Sequence, residues 1–450
     1  MHFSQHYLEC LSQASYVLGD ESTGRAVVVD PQRDVHDYLA EAEEAGLHIE
    51  LVIETHVHAD FVSGHLELAA ATGAEIAYGS EAKIDFPVRH LTDGERISLG
   101  DVTLEVRATP GHTPESISVV VYEHADDDTP YGVLTGDTLF VGDVGRPDLL
   151  SAAGQDPVDM ARSLYRSLHT QLLTLPDMTR VFPAHGAGSA CGKHLSTETQ
   201  STIGEQRETN YALRASSPDE FVVLVNEGQL APPNYFAYDA RVNREAHPLL
   251  DERDTPPLLS VERVLELQGR GAQLLDTRAP DDFALAHVAG SINVGLGGRF
   301  AEYAGAVLDP ALPIIVVADP GTELEAKLRL ARVGFDGVVG ALADPVLVFV
   351  EHPSLVRQAS RVTADDIDGR VLVDVRNPGE TQLGIIPGAR TIPLARLASE
   401  LVSLDPEDPV VVYCAGGYRS SVAASLLRSR GFADVADIIG GYGAWASRAG

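Results

Sequence analysis

The sequence has little that would cross-link it and little positive charge. Three cysteines, Cys10, Cys191 and Cys414, are scattered over 450 residues. An odd, widely spaced set forms neither a disulfide framework nor a zinc knuckle. In a reducing compartment each is a free thiol, to be judged by its surroundings. Lysine occurs only at Lys83, Lys193 and Lys327, and 33 basic residues stand against 66 acidic ones, a formal charge of −33. That balance argues against nucleic acid, whose phosphates need a basic face, and against docking on anionic lipid. No apolar stretch is long enough to span a bilayer. Met1 to Cys10 carries His, Glu and Gln rather than a basic region followed by an apolar core, so no secretory signal is read and a cytoplasmic location is expected.

What is present is a set of short polar motifs beside apolar runs. Thr55-His56-Val57-His58-Ala59-Asp60 follows Leu51-Val52-Ile53. A strand ending there sets two imidazoles and a carboxylate at a sheet rim, a donor mixture suited to Zn, Fe or Mn. An isolated motif of this kind is more often a polar turn. Three further pieces count against that: Pro110-Gly111-His112-Thr113-Pro114, Thr135-Gly136-Asp137-Thr138 and Pro183-Ala184-His185-Gly186. Each sets a possible ligand beside an apolar run, next to the Gly or Pro of a tight turn.

In that order the four pieces resemble the metallo-β-lactamase superfamily, and most closely its persulfide dioxygenase branch. The resemblance implies an αββα sandwich for residues 1–250, with the metal at one edge of its sheets. It implies one Fe(II) per chain on His56, His112 and Asp137, a 2-His-1-carboxylate set that leaves positions for substrate and O2. One residue departs from the superfamily pattern: Phe61 stands where a second-metal histidine is expected. A phenyl ring has no lone pair to donate, so one metal is favoured over two. His58, Asp60 and His185 then serve to orient ligands or substrate. The same departure counts against the alternative, a zinc-dependent thioester hydrolase like glyoxalase II. Gly142 to Asp148 resembles a Gly-Arg-Pro-Asp stretch of the same dioxygenases, in which Arg146 is a candidate partner for a substrate carboxylate. Cys191, six residues after His185, is a candidate lining residue.

Pro232 to Pro257, rich in Pro, Asn and charge, reads as the exit and linker. Beyond it lies a repeat. Leu274-Leu275-Asp276-Thr277-Arg278 matches Leu372-Val373-Asp374-Val375-Arg376, and a Gly follows fourteen residues after each Asp, at Gly290 and Gly388. A period of about 100 residues is two copies of one domain rather than a solenoid. Both copies, 257–352 and 360–450, resemble the rhodanese family, α/β domains with a parallel sheet. The expected class is therefore α/β multidomain.

In the second copy Val410 to Tyr413 leads into Cys414-Ala415-Gly416-Gly417-Tyr418-Arg419-Ser420 and then a helix. Inward-pointing N–H groups, a helix N-terminus and Arg419 each favour a thiolate there. The match to the rhodanese loop makes Cys414 the residue that carries a persulfide, with Arg419 beside it. The first copy has Asp319 at that place, and a carboxylate cannot carry sulfane sulfur, so this copy is expected to be inactive. Together the resemblances imply oxidation of a low-molecular-weight thiol persulfide by O2 to sulfite. They couple it to sulfur transfer at Cys414 that forms or consumes thiosulfate, in a homo-oligomer.

Overall fold

The structure is a computed structural model that describes residues 1–450 apart from 152, 153, 230, 231, 368 and 450. Contacts divide the chain into two units, Met1–Pro232 with Phe236–Leu250, and Pro233–Tyr235 with Asp251–Gly450. Among the described residues no helix is long and apolar enough to cross a membrane.

The first unit holds two six-stranded sheets. One runs β1 (His2–Leu8), β2 (Gln13–Asp20), β3 (Arg25–Val29), β4 (His48–Ile53), β5 (Glu75–Gly79), β6 (Arg89–Leu91), in that spatial order. The other holds β7 (Arg96–Ser98), β8 (Thr103–Ala108), β9 (Ile117–Tyr122), β10 (Gly132–Gly136), β11 (Arg180–Pro183) and β12 (Ser201–Thr202), again neighbour to neighbour. Side chains of a strand alternate between faces, and here both faces are covered. Val27, Val29, Leu51 and Ile53 meet Leu104, Val106, Val119 and Val121 between the sheets. Val28 and Val52 turn outward onto Tyr38, Ala42 and Leu68 of helices His36–Ala45 and His65–Thr72. On the far side Val120, Val133 and Val181 meet Leu164 and Phe221 of helices Pro157–Ser167 and Pro218–Asn226. Hence the strands read as unbroken apolar runs, and each buried valine contributes about 1.5–3 kcal/mol. The αββα expectation holds.

The linker expectation does not hold for residues 236–250. They form helix Phe236–Val242 and a tail that belongs to the first unit. The Asn243 amide donates to the carbonyls of His58 (2.9 Å) and Phe61 (2.8 Å) and accepts from the Ser63 N–H (2.9 Å). Its composition looks like a linker, yet its polar groups satisfy buried backbone of the His58–Ser63 loop.

The second unit contains two parallel five-stranded sheets of one topology. The first runs Leu258–Leu259, Val338–Leu342, Ile314–Val317, Gln273–Asp276, Ile292–Asn293 across the sheet. The second runs Ser360–Val362, Val435–Ile438, Val410–Tyr413, Val371–Asp374, Arg390–Thr391. The repeated Asp-x-Arg has a structural use in both. Arg278 binds Asp276 through Nε (3.0 Å) and Nη2 (2.6 Å) and reaches the Ala286 carbonyl. Arg376 does the same to Asp374 and Gly384.

Candidate metal centre and sulfur site

The strand ends of the sandwich bring the four polar pieces together. His56 follows β4, His112 sits in the turn between β8 and β9, Asp137 follows β10 and His185 follows β11. Ligand atoms of His56, His112 and Asp137 all lie within 4.8 Å of one another. Asp137 Oδ2 is 3.8 Å from His56 Nε2 and 3.4 Å from His112 Nε2. His112 Nε2 and Asp137 Oδ2 are buried and have no hydrogen-bond partner.

Each of these side chains is aimed by a second contact. His112 Nδ1 donates to the Arg146 carbonyl (2.9 Å), which turns its Nε2 lone pair to the centre. Thr55 Oγ1 donates to Asp30 (2.8 Å) and so accepts from His56 Nδ1 (3.0 Å), with the same result for His56. His185 Nδ1 holds Asp137 Oδ1 at 2.7 Å and leaves Oδ2 free, while its Nε2 lies 2.7 Å from Asp60. Burial, then the neighbouring His58, holds His56 well below the usual imidazole range, and burial lowers His112. Burial pushes Asp137 up, but His185 and the other histidines outweigh it and keep the carboxylate ionised. Burial likewise opposes the His185 cation and loses to Asp137 and Asp60. Two neutral imidazoles and one carboxylate, with two orphaned atoms among them, fit a divalent metal that takes N and O donors.

The His58 ring lies 4.2 Å from that of His56, centroid to centroid, with its Nδ1 buried and without a hydrogen-bond partner. Its Nε2 lies 3.0 Å from Asp30 and 3.3 Å from Glu54, and its ring packs on Phe61 with centroids 4.4 Å apart. Burial lowers its pKa, but the two carboxylates win and raise it to about 10. An imidazolium between two carboxylates offers no lone pair. Asp60, His185 and Cys191 form a neighbouring cluster. Burial first, then Asp60 and Asp137, push the Cys191 thiol well above its ordinary range, so it stays protonated.

Arg146 differs from the sequence expectation. Its guanidinium binds Asp148 through two 2.8 Å contacts and donates to the Ala190 carbonyl, with the side chain 1% exposed. The donor fork is occupied by Asp148 and the Ala190 carbonyl rather than offered to a substrate, and Arg146 acts on the centre through its own carbonyl. Gly145 is tighter still: a Cβ there would lie 1.9 Å from the Asp137 carbonyl oxygen and 3.1 Å from His112 Nδ1. Gly145→Ala should therefore cost about 1–3 kcal/mol and displace both ligands. A thermal melt with metal analysis checks this; unchanged melting and metal content would contradict it.

Sequence reading also missed Asp30, Glu54 and Glu115, which accepts from the Val57 N–H at 3.1 Å. The available signal was a carboxylate directly after each apolar run, Asp30 after Val27–Val29 and Glu54 after Leu51–Ile53.

In the second unit Cys414 ends the Val410–Tyr413 strand and is 2% exposed. The Gly417 N–H donates to its sulfur at 3.1 Å, and Ser420 Oγ lies 3.6 Å away. Gly417 has φ +105°, a left-handed turn that favours glycine. Helix Tyr418–Ser429 starts immediately after it, so its N-terminus faces the sulfur. Gly441 must also lack a side chain, because a Cβ would lie 2.3 Å from the Cys414 carbonyl oxygen. Arg419 is bound through both Nη atoms to Glu380, at 2.7 and 2.6 Å. In the first copy Asp319 is exposed beside a cavity of about 550 Å³ that Arg278 and Asp344 also line.

The metallo-beta-lactamase superfamily profile matches residues 8–185, and the rhodanese-like domain profile matches twice, at 260–344 and 359–448. The mitochondrial persulfide dioxygenases ETHE1 of Bos taurus and Homo sapiens are each 30% identical over 233 residues, 51% of this chain and 82% of theirs. The crystal structure of a metallo-beta-lactamase from Staphylococcus aureus superposes with a TM-score of 0.69 at 32% identity, over 76% of this chain and 98% of that one. The chain belongs to the metallo-β-lactamase superfamily, as a homologue of the persulfide dioxygenases joined to two rhodanese-like domains.

Proposed function

We propose that residues 1–250 oxidise low-molecular-weight thiol persulfides with O2, and that residues 360–450 transfer sulfane sulfur through Cys414, with the inactive copy at 257–352 between them. The observation that carries the first part is the convergence of His56, His112 and Asp137, while His58 groups with Asp30 and Glu54 and packs on Phe61. A single ferrous ion held by those three residues would supply the redox chemistry that joins O2 to the terminal sulfur. The net reaction is RSSH + O2 + H2O → RSH + SO3²⁻ + 2H⁺. His185, protonated between Asp137 and Asp60, keeps one carboxylate oxygen turned inward.

At Cys414 the thiolate attacks the outer sulfur of thiosulfate. A bond from Sγ to that sulfur forms, the bond to the sulfonate sulfur breaks, and sulfite leaves with the electron pair. Run backwards, a Cys414 persulfide passes its sulfur to sulfite, the product of the first reaction. The Gly417 N–H and the helix N-terminus stabilise the anion in both directions. Carrying both activities on one chain raises the effective concentration of the shared sulfur species.

The test is product analysis with glutathione and coenzyme A persulfides beside matched thioesters. One sulfite per O2 consumed, with the thioesters untouched, is expected. Thioester hydrolysis without O2 uptake would overturn the reading in favour of a zinc hydrolase.

A further inference from the structure

The copy that lacks a cysteine is built into the sulfur site of the copy that has one. Helix Tyr418–Ser429, whose first turn follows the Cys414 loop, is fastened along one face by Tyr418, Ser421 and Ser425. The Tyr418 hydroxyl donates to the carbonyls of Gly295 and of Gly297, the latter at 3.1 Å. Ser421 donates to Asn293 Oδ1 at 2.9 Å, and the Asn293 N–H donates to Ser425 Oγ at 2.8 Å. Asn293 is itself fixed by donating to the carbonyls of Asp276 and Arg278. Spacings of three and four residues put those three side chains on one helix face, so the first copy sets the position of the loop that holds Cys414.

From the same side comes Tyr303, on helix Phe300–Val307 of the first copy, which packs against Tyr418–Ser429 and Leu394–Glu400. Its ring lies 5.4 Å from that of Tyr418, centroid to centroid. Tyr418 directly follows Gly417, whose N–H donates to the Cys414 sulfur, so a ring packed on Tyr418 borders the Cys414 loop. Burial, then Glu302, pushes the Tyr303 pKa up to about 12, so it stays protonated and remains a hydrogen-bond donor. Arg419, the cation expected at this site, has both Nη atoms on Glu380. A neutral donor beside a sulfur nucleophile suits an entering or leaving group that bears oxygen atoms. Among sulfane-sulfur compounds, thiosulfate has a sulfonate end and a thiol persulfide does not.

We propose that the first copy completes the sulfur-transfer site, with the Tyr303 hydroxyl donating a hydrogen bond to the sulfonate oxygens of thiosulfate, or of sulfite, at Cys414. Tyr303 thereby selects sulfonate-bearing substrates over thiol persulfides. The inference rests on the sulfur-transfer role proposed for Cys414.

The experiment uses the full chain and follows thiocyanate formation from cyanide, with thiosulfate or glutathione persulfide as donor, in the native protein, Tyr303→Phe and Cys414→Ala. Phenylalanine keeps the ring against Tyr418 and removes only the hydroxyl. Loss of one hydrogen bond to a charged group should raise KM for thiosulfate about tenfold or more, while the persulfide donor, lacking a sulfonate, changes by less than about twofold. An unchanged thiosulfate reaction, or an equal loss with both donors, overturns the proposal while leaving Cys414 in its role, provided Cys414→Ala is inactive. Transfer that survives in Cys414→Ala removes the role and the inference together.

Discussion

Asp137→Asn should lose its metal and its persulfide-dependent O2 uptake by about 100-fold or more, since even outer contacts of metal ligands cost 10–100-fold. Asn is the informative replacement. Its amide oxygen can still accept from His185 Nδ1, now 2.7 Å from Asp137 Oδ1, while the negative charge that faces both histidines is gone. Ala would confound the result. It would leave the His185 cation buried with Asp60 alone, and breaking a buried pair costs about 3–5 kcal/mol, so lost activity and lost folding would coincide. With Asn, a native-like melt, absent metal and absent O2 uptake are the expected set. Full metal occupancy in Asp137→Asn would show that the centre lies elsewhere, and the Asp60–His185–Cys191 cluster would be the first place to look.

Cys414→Ser should lower sulfur transfer by about three orders of magnitude or more, because nucleophile removal leaves only binding and anion stabilisation, and should leave O2 uptake intact. Serine fits the same space beneath the Gly417 N–H, so the loop keeps its shape. The two activities separate because each unit carries its own core: valines and leucines of two facing sheets in the first, a parallel sheet with Val411, Tyr413 and Ile438 in the last domain. The informative readout is the product ratio. If Cys414 works on the sulfite released upstream, the variant shows more sulfite and less thiosulfate at an unchanged rate of O2 consumption. A fall in O2 uptake equal to the fall in transfer would contradict the separation.

What was legible in the sequence was local. His56, His112, Asp137 and His185 each sit within a few residues of a strand end, so apolar runs and Gly or Pro turns place them. Cys414 is legible for the same reason. What could not be read depends on partners far along the chain. His58 has the same spacing as a ligand, and what sets it apart is Asp30, 28 residues away, which with Glu54 holds its Nε2 while the Phe61 ring packs on it. Asn243 reaches the metal loop from 185 residues on, out of a stretch whose composition resembles a linker. Arg146 carries a motif that suggested a substrate contact, but Asp148, two residues away, takes its guanidinium. Tyr303 and Tyr418 meet only because two copies of one fold pack together. A repeat shows that there are two copies and says nothing of which faces touch.

The most direct test of the central claim is to reconstitute the chain anaerobically with ferrous iron and record metal content together with O2 consumed per thiol persulfide added. The account predicts one iron per chain, one O2 per persulfide, and no uptake once the iron is removed by a chelator. Two metals per chain, or a zinc-loaded protein that cleaves thioesters and takes up no O2, would contradict it.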